Sequence, residues 1–261
     1  MLSCFYIDNA HYQENIIPKI NKKHGHEVLI IASTDVFVKN NELGTTISST
    51  YVNENGIKVI RIPYLNFLSN YVAMKIRAYK GVYKLIEDFA PDIILFHGTA
   101  AYALNDVGQY IKKNPSTKLF VDSHEDFNNS ARGFISKHIL HLLFYKKILL
   151  NNLKYVNKIL YITKETYNFL KELYSIPEEK LSFFPLGGII PEEGSRNNIR
   201  SKIRKELNIS ENDILCVHSG KLDKLKRTED ILKGFSECKS EKNKLIIIGV
   251  IDESFEAVLK E

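Results

Sequence analysis

Short apolar runs and amphipathic stretches alternate along most of the chain. Val28–Ala32 and Ile93–Phe96 are continuous apolar runs, the pattern of strands that a parallel sheet buries on both faces. Glu14–Lys23 and Tyr71–Phe89 instead carry apolar residues at helical spacing. Strands that alternate with helices in this way predict an α/β fold, in which helices cover both faces of a parallel sheet.

The same criteria predict elements along the rest of the chain. The predicted strands are Cys4–Ile7, Ile57–Ile62, Lys118–Val121, Lys158–Ile162, Leu181–Phe184, Ile214–His218 and Leu245–Gly249. The predicted helices are Tyr102–Lys113, Phe134–Leu153, Glu165–Tyr174, Ile199–Leu207 and Thr228–Cys238. Asn55-Gly56 predicts a turn before Ile57–Ile62, because this dipeptide favours the positive φ angles that tight turns require.

The composition changes after Gly188. Residues 191–198 are rich in Gly, Pro, Ser, Asn and charge, which is typical of a linker between domains. A new strand–helix–strand unit starts at Ile214, and the sequence ends one predicted helix later. We therefore expect an N-terminal domain at residues 1–190, a linker at 191–212, and the start of a second, truncated domain at 213–261.

Charge and hydropathy narrow the choice of partners. The formal net charge is +5 and the pI is about 8.8, which suits an anionic ligand or an anionic membrane surface but is too weak to predict nucleic-acid binding. We find no apolar window of the roughly 18 residues that a membrane span needs. Met1–Ile7 is too short an apolar stretch for a signal peptide.

The three cysteines favour a reducing compartment. Cys4, Cys216 and Cys238 are far apart and odd in number, so they fit neither a disulfide framework nor a paired zinc signature. We expect a cytoplasmic protein, with Cys4 and Cys216 as buried structural thiols because each lies in an apolar run.

The common phosphate-binding signatures are missing. No G-x-G-x-x-G follows the first strand and no Walker lysine motif occurs, so dehydrogenases and P-loop enzymes are poor interpretations. Ligands of an open parallel sheet bind beyond the carboxyl ends of its strands. The loops that follow predicted strands are therefore the candidate sites.

The richest of these loops follows Lys118–Val121. It places His124, Glu125, Asp126 and Asn129 directly beyond the strand, and we predict a functional role for His124 from this polar setting. The ligand spacing matches no strong metal pattern, so we expect no metal here.

Two other loops of the predicted N-terminal domain are less decisive. The first, Asp8–Asn15, offers Tyr12, Gln13 and Glu14 to a hydroxyl-rich ligand, but taken alone it favours helix capping by Asn9 with Glu14 in the first turn. The second contains His97, which fits a ligand contact and a structural role at the sheet edge equally well.

The last candidate loop follows Ile214–His218. Gly220 permits a close backbone approach, and a run of cations that includes Lys221, Lys226 and Arg227 then precedes a predicted helix. Such a run is often only a solvated surface. Its position between a strand and a helix N-terminus favours a pyrophosphate cradle.

At these loops the sequence resembles the family 4-like group of GT-B glycosyltransferases, which are retaining enzymes with two Rossmann-like domains facing a cleft. The matching strings are Tyr12–Asn15, Lys22–Val28 with its "GHEV" ending, Asp122–Asp126, and Gly220–Asp223 with Lys226-Arg227. The sequence departs from the family in two places. The first loop lacks the family's glycines, and Lys221 stands where the family more often has arginine. A lysine supplies charge but not the bidentate hydrogen bonds of a guanidinium.

The resemblance implies transfer of a sugar, with retention, from a UDP-, GDP- or ADP-sugar to a glycan or lipid-linked acceptor, without a cofactor or an essential metal. It implies that His124 acts beside the transferred sugar. Gly220, Lys221, Lys226 and Arg227 would hold the donor diphosphate. The acceptor or sugar side would be formed by Tyr12, Gln13, Glu14, Glu125, Asp126 and Asn129. The family's E-x7-E element is not matched, because the pair Glu253 and Glu261 follows the wrong strand.

Three further interpretations remain open. Phe134–Leu153 is basic and amphipathic, so it either covers the sheet or lies on the inner face of the cell membrane, as an enzyme of cell-surface polysaccharide synthesis would require. A GT-B sugar-nucleotide epimerase is one alternative to the transferase. A non-catalytic binding module with the same fold is the other.

Overall fold

The computed structural model describes residues 2–3, 5–38, 43–66, 69–188, 190–220, 222, 226–251 and 256. The chain divides into two compact units, Met1–Gly188 and Ile189–Glu261.

The first unit is built on an eight-stranded sheet with the order β10-β9-β8-β7-β1-β2-β6-β5. Its strands, with those of a separate small hairpin (β3 and β4), are β1 Leu2–Ser3, β2 Leu29–Ser33, β3 Asp35–Phe37, β4 Leu43–Thr45, β5 Ser49–Val52, β6 Lys58–Ile62, β7 Ile93–His97, β8 Lys118–Ser123, β9 Lys158–Tyr161 and β10 Leu181–Phe183. All neighbours in the large sheet are parallel except β5, an antiparallel edge strand on β6. The predicted parallel sheet is therefore confirmed.

Helices connect these strands. They are α1 Gln13–Lys23, α2 Asn70–Ile76, α3 Val82–Phe89, α4 Leu104–Lys113, a π-helix at Ile135–Tyr145, α5 Lys146–Asn152 and α6 Lys164–Glu172. Short 3₁₀ turns follow at Leu153–Tyr155 and Glu178–Lys180. Helix α4 shows why they form where they do, because its buried residues Leu104, Val107 and Ile111 recur at helical spacing and pack into the core.

The apolar runs form the centre of the core. All five residues of β2 are buried, and Val59, Leu119 and Ile159 on neighbouring strands have no exposed surface. Helices bury these strands on both faces, which is why the runs show no polar alternation. This core holds the carboxyl ends of the strands in fixed positions.

The segment predicted as one helix at Tyr71–Phe89 is two helices. Arg77 ends α2 in the left-handed conformation with φ 51°, and Gly81 begins α3 with φ 81°. Glycine adopts this angle without steric cost, whereas Arg77 is held there by its contacts. Its guanidinium donates a hydrogen bond to the Ala100 carbonyl at 3.1 Å, so the break directs a cation toward the carboxyl end of β7.

Two other predicted elements differ in extent. The first strand was expected at Cys4–Ile7, but its paired residues are Leu2 and Ser3, while Phe5–Ile7 are outside any strand and Cys4 lies outside the described residues. Phe134–Leu153 is not one α-helix, since a π-helix, α5 and a 3₁₀ turn succeed one another. Such a long π-helix is rare, because most are single turns within α-helices.

The second unit is small. Its elements are α7 Ser195–Glu206, β11 Ile214–Ser219, α8 Thr228–Ser236 and β12 Asn243–Ile248, with β11 and β12 parallel. Helix α7 occupies most of the segment expected as a linker, and buried Arg204 ties it to the approach to β11 by donating to the carbonyls of Ser210 and Asp213.

The expectation of a buried thiol at Cys216 is wrong. Cys216 and Cys238 are both exposed, because β11 leaves much of its surface uncovered within this unit. Within the described ranges, no helix combines the length and the apolar character needed to cross a bilayer.

Candidate functional site

A cluster of ionisable side chains lies at the switch point of the first unit's sheet. Strand β1 has β2 on one side and β7 on the other, and the chain crosses to the second side only after β6. The carboxyl ends of neighbouring parallel strands diverge at such a point and leave a crevice where ligands bind. Glu14 follows β1, while His97 is the last residue of β7 and lies directly opposite Asp122, the penultimate residue of β8.

His97 lies between two carboxylates. Its Nε2–H donates to Glu14 Oε1 at 2.7 Å, and its Nδ1–H donates to Asp122 Oδ2 at 2.9 Å. Since both ring nitrogens face acceptors, the ring is assigned as the doubly protonated imidazolium. Burial alone would lower the pKa of His97, but the hydrogen bonds to Asp122 and Glu14 raise it well above its usual value.

Asp122 is the most enclosed member of the cluster, with 1% of its side chain exposed. Its Oδ1 accepts the Gly98 N–H at 3.0 Å, where Gly98 has φ 93°, a conformation that glycine adopts most readily. Burial would raise the pKa of Asp122, but its interactions with His124 and His97 lower that pKa to about 2. The carboxylate is therefore ionised at neutral pH.

His124 stands at the open side of this pair. Its ring lies 4.6 Å from the His97 ring between centroids, and its Nε2 lies 3.6 Å from Asp122 Oδ2. That distance exceeds a normal hydrogen bond, and Nε2 makes no hydrogen bond to any residue of the described part. His124 thus has a fixed ring and one nitrogen whose hydrogen-bonding capacity is unused within these ranges.

The two carboxylates after His124 differ in their surroundings. Glu125 is buried and accepts hydrogen bonds from Thr99 Oγ1 at 2.9 Å and Ser123 Oγ at 2.6 Å, with Arg77 3.9 Å away. Half-buried Asp126 accepts hydrogen bonds from the N–H groups of Asn128 and Asn129. Glu125 therefore supports the loop from inside, while Asp126 shapes its outer turn.

Asn129 links that outer turn to His124. Its side-chain amide donates to the His124 carbonyl at 2.9 Å, and its own carbonyl oxygen accepts the Asp126 N–H at 3.0 Å. These bonds fix the backbone on which the His124 ring is carried.

The first loop brings Gln13 and Glu14 toward the cluster. The helix N-cap is Tyr12 without a side-chain cap, so capping by Asn9 is not what positions α1. Burial would raise the pKa of Glu14, but its bond to His97 lowers it. The amide oxygen and nitrogen of Gln13 are enclosed and have no hydrogen-bond partner among the described residues. Tyr12 is exposed.

The cluster also has the composition of a metal site. His97, Asp122 and His124 each place one ligand atom within 4.8 Å of the others. A metal would need a lone pair on His97, but both nitrogens of that ring already donate to carboxylates. The observed hydrogen bonds therefore suit a protonated histidine better than a metal ligand.

The candidate phosphate loop of the second unit has a different character. Gly220 has φ 134° and open space on the side where a Cβ would lie, and Lys221 lies outside the described residues. Arg227, the N-cap of α8, is exposed and pairs with Asp230 at 2.6 Å. Lys226 is also exposed. The loop thus presents cations at the start of a helix, where backbone N–H groups favour anions.

Sequence reasoning missed the role of the partners of His124. It left His97 undecided and assigned no function to Asp122, although the two residues pair in register near the carboxyl ends of adjacent parallel strands. The order of the strands around β1, which brings Glu14 to the same point, is a tertiary fact that the local pattern of residues does not contain.

Comparisons with known proteins agree on the fold. No protein-family model matches the chain, and no curated protein matches it in sequence. HepE of Anabaena in complex with UDP is similar over 99% of this chain and 63% of its own, with a TM-score of 0.59 and 13% identity. An Escherichia coli trehalose-6-phosphate structure bound with UDP-2-fluoro glucose is similar over 99% of this chain and 67% of its own, with a TM-score of 0.53 and 12% identity.

A glycosyltransferase from Rickettsia africae is similar to the same extent, with a TM-score of 0.52 and 12% identity over 97% of this chain and 69% of that one. The chain spans 63% of the length of HepE. Identities this low establish architecture rather than activity. The chain therefore has the GT-B glycosyltransferase fold, as its sequence predicts.

Proposed function

We propose that this protein is a family 4-like, retaining glycosyltransferase that moves a sugar from a nucleoside-diphosphate sugar to a glycan or lipid-linked acceptor in cell-surface polysaccharide synthesis. The observation that carries the proposal is the Glu14–His97–Asp122–His124 cluster at the switch point of a GT-B fold. Its similarity to HepE, which was solved with UDP and glucose, supports a nucleotide-sugar donor.

In the proposed reaction the bond between the anomeric carbon and the diphosphate oxygen breaks, and its electron pair leaves with the diphosphate. The acceptor oxygen forms the new bond to that carbon, and its proton passes to the departing diphosphate. The sugar becomes oxocarbenium-like on the way. The protein must therefore stabilise positive charge at the ring and negative charge at the diphosphate.

His124 is the group we assign beside the sugar. Its side chain is 29% exposed, more than those of Glu14, His97 and Asp122, so it is the member of the cluster that a ligand can reach, and its ring lies against Asp122 and His97. The carboxylates of Glu14 and Asp122 and the imidazolium of His97 together carry a net charge of −1 beside His124. This negative charge stabilises a positive charge that develops on a nearby sugar. Glu14, His97 and Asp122 position His124 in this assignment.

The remaining proposed contacts surround this point. Gln13 offers an enclosed amide without a described partner, which suits a sugar hydroxyl, and exposed Tyr12 and half-buried Asp126 suit the acceptor. Glu125 and Asn129 act by holding the loop.

The second unit would bind the donor. Its Gly220, Lys226 and Arg227 supply backbone space and charge for the diphosphate, and Lys221 is assigned there from sequence alone. No cofactor or metal has a part in the proposed reaction, and the enzyme would work in the cytoplasm.

The test is a transfer assay on the full-length protein with UDP-, GDP- and ADP-sugars and a panel of glycan and lipid-linked acceptors. We expect one nucleotide series to give product, and NMR of that product to show the anomeric configuration of the donor. An inverted product would contradict retention. Release of a free epimerised sugar without transfer would replace the transferase by an epimerase.

A further inference from the structure

One stretch of the first unit carries cations without any carboxylate. Residues 127–164 contain seven of the 36 Lys and Arg residues and none of the 31 Asp and Glu residues. The other 223 residues therefore hold 29 cations against 31 anions, a formal charge of −2, so the chain's net charge of +5 arises from this stretch. The seven cations are Arg132, Lys137, Lys146, Lys147, Lys154, Lys158 and Lys164.

Large apolar side chains are exposed along the π-helix in the same stretch. Phe134 is 76% exposed, Ile135 66%, Ile139 48% and Leu143 67%. The last three are four residues apart, close to one helical turn, so they lie on the same side of the helix. The opposite side carries buried His141 and Tyr145, which pack into the core.

Cations flank this apolar line. Arg132, Lys137 and Lys147 are exposed, whereas Lys146 is directed inward and donates to the Leu173 carbonyl at 3.0 Å. We call the exposed residues Arg132, Phe134, Ile135, Lys137, Ile139, Leu143 and Lys147 the basic apolar face. An apolar line bordered by cations is the composition of helices that lie in the headgroup region of a bilayer.

The basic apolar face is continuous in sequence with the candidate site. Four residues separate the loop residue Asn129, which holds the His124 carbonyl, from Phe134. A short segment of one unit therefore joins this face to the loop of His124, where a lipid-linked acceptor has to present its hydroxyl.

We propose that the basic apolar face docks the protein on an anionic lipid bilayer. Charge favours this partner, because the negative surface potential of such a membrane attracts a stretch that carries cations and no carboxylate. A second copy of the chain would instead bring two such faces together and place like charges against each other. The link to a lipid-linked acceptor rests on the proposed transferase function, whereas docking itself does not.

The experiment is co-sedimentation of the full-length protein with vesicles of equal parts phosphatidylglycerol and phosphatidylcholine, and with vesicles of phosphatidylcholine alone. We expect binding to the anionic vesicles only, and weaker binding as salt is added. Because the assay contains no sugar nucleotide, its failure would leave the proposed transfer reaction unaffected.

Two pairs of variants separate charge from insertion. Lys137→Gln with Lys147→Gln should weaken binding roughly 25-fold, at about fivefold for each lysine near an anionic surface. Ile139→Ser with Leu143→Ser should weaken it at least about tenfold, because the apolar side chains no longer enter the bilayer. Lys137, Leu143 and Lys147 are exposed and Ile139 is 48% exposed, so these substitutions should leave the core intact. Tyrosine fluorescence on urea unfolding checks that each variant is folded.

The matched controls lie elsewhere on the same unit. Lys22→Gln with Lys23→Gln removes two exposed lysines from α1, and Ile47→Ser removes an exposed isoleucine. Both control variants should bind the anionic vesicles as the unchanged protein does. Equal binding to neutral vesicles, or equal loss in the control variants, would overturn the proposal. So would sedimentation equilibrium that shows a dimer dissociated by Ile139→Ser with Leu143→Ser.

Discussion

The two candidate loops occupy equivalent places in the two units but are built differently. Both follow a parallel strand and precede a helix or helical turn. In the first unit Glu14, His97 and Asp122 are paired at fixed distances, and Asp122 is almost fully enclosed. In the second unit the described cations, Lys226 and Arg227, are exposed at the start of α8.

This difference matches the different use of charge at the sugar and at the diphosphate in the proposed reaction. Orientation of a reacting sugar needs groups that are fixed before the substrate arrives, because preorganised groups do not have to reorganise in the transition state. Attraction of a diphosphate needs only positive potential and accessible N–H groups. Substitution of the enclosed groups of the first unit should therefore change stability and substitution of His124 should change chemistry, whereas substitutions in the second loop should change affinity alone.

The largest effect is expected from His97→Gln. The substitution leaves Glu14 and buried Asp122 without their cation, and loss of one partner of a buried pair costs about 3 to 5 kcal/mol. The free energy of unfolding should fall by about 3 kcal/mol in urea. All 14 tyrosines lie in residues 1–188 and the chain has no tryptophan, so tyrosine fluorescence reports on the first unit alone. A change below about 0.5 kcal/mol, as at ordinary surface sites, would show that the cluster is not coupled.

The same cluster predicts how stability depends on pH. The pKa of His97 is raised in the folded state, so its stabilising contribution is complete below the ordinary value of about 6.5 and is lost as pH rises through the folded value. The difference in unfolding free energy between the unchanged protein and His97→Gln should therefore shrink above about pH 6.5. Urea unfolding of both proteins from weakly acidic to alkaline pH measures it, and a constant difference would contradict an imidazolium at His97.

His124→Ala should affect chemistry more than folding. Removal of one electrostatic contact to a transition state typically lowers kcat by about a hundredfold or more. We expect a loss of roughly a hundredfold in transfer by the full-length protein, with donor affinity nearly unchanged. The matched control is His24→Ala, an exposed histidine at the end of α1. Equal transfer by the two variants would remove His124 from the site.

A smaller effect is expected at the donor side. Lys226→Ala should weaken binding of the nucleoside diphosphate about tenfold, the effect of one charge-assisted contact, while the fold remains intact. Lys239→Ala removes an exposed lysine of the same unit as the control. Calorimetric titration of both variants gives the comparison, and equal affinity would exclude Lys226 from the diphosphate cradle.

The smallest effect should come from the ion pair at the start of α8. Arg227 and Asp230 are both largely exposed, and such pairs contribute little because solvent screens them. Asp230→Asn should change stability by less than about 0.5 kcal/mol, measured by hydrogen exchange of the α8 amides. It should also strengthen diphosphate binding slightly, because it releases Arg227. Weaker binding would show that the pair positions the arginine.

Much of the first unit could be predicted from sequence for a physical reason. Strands such as β2 are buried on both faces, so their apolar runs stand out without alternation. The break at Arg77 could not be predicted, because an arginine in the left-handed conformation carries no local signal comparable to glycine. The hairpin of β3 and β4 was also missed, since each strand has only three residues.

The candidate site was predictable only in part. The loop after β8 stood out by its density of polar groups, and His124 was chosen from it. The apolar context of Cys216 suggested burial, but β11 is largely exposed within its unit. The role of Glu14 and His97 depends on strand order, because β1 lies next to β7 although more than 80 residues of sequence separate them.

The central claim is that a nucleoside-diphosphate sugar binds this protein. The most direct measurement is calorimetric titration of UDP, GDP and ADP, and of their sugar conjugates, into the full-length protein, with Lys226→Ala titrated alongside. The account predicts saturable binding by one nucleotide series and weaker binding to the variant. Absence of saturable binding by every nucleotide and conjugate would contradict the transferase and leave a GT-B fold that serves as a binding module for another ligand.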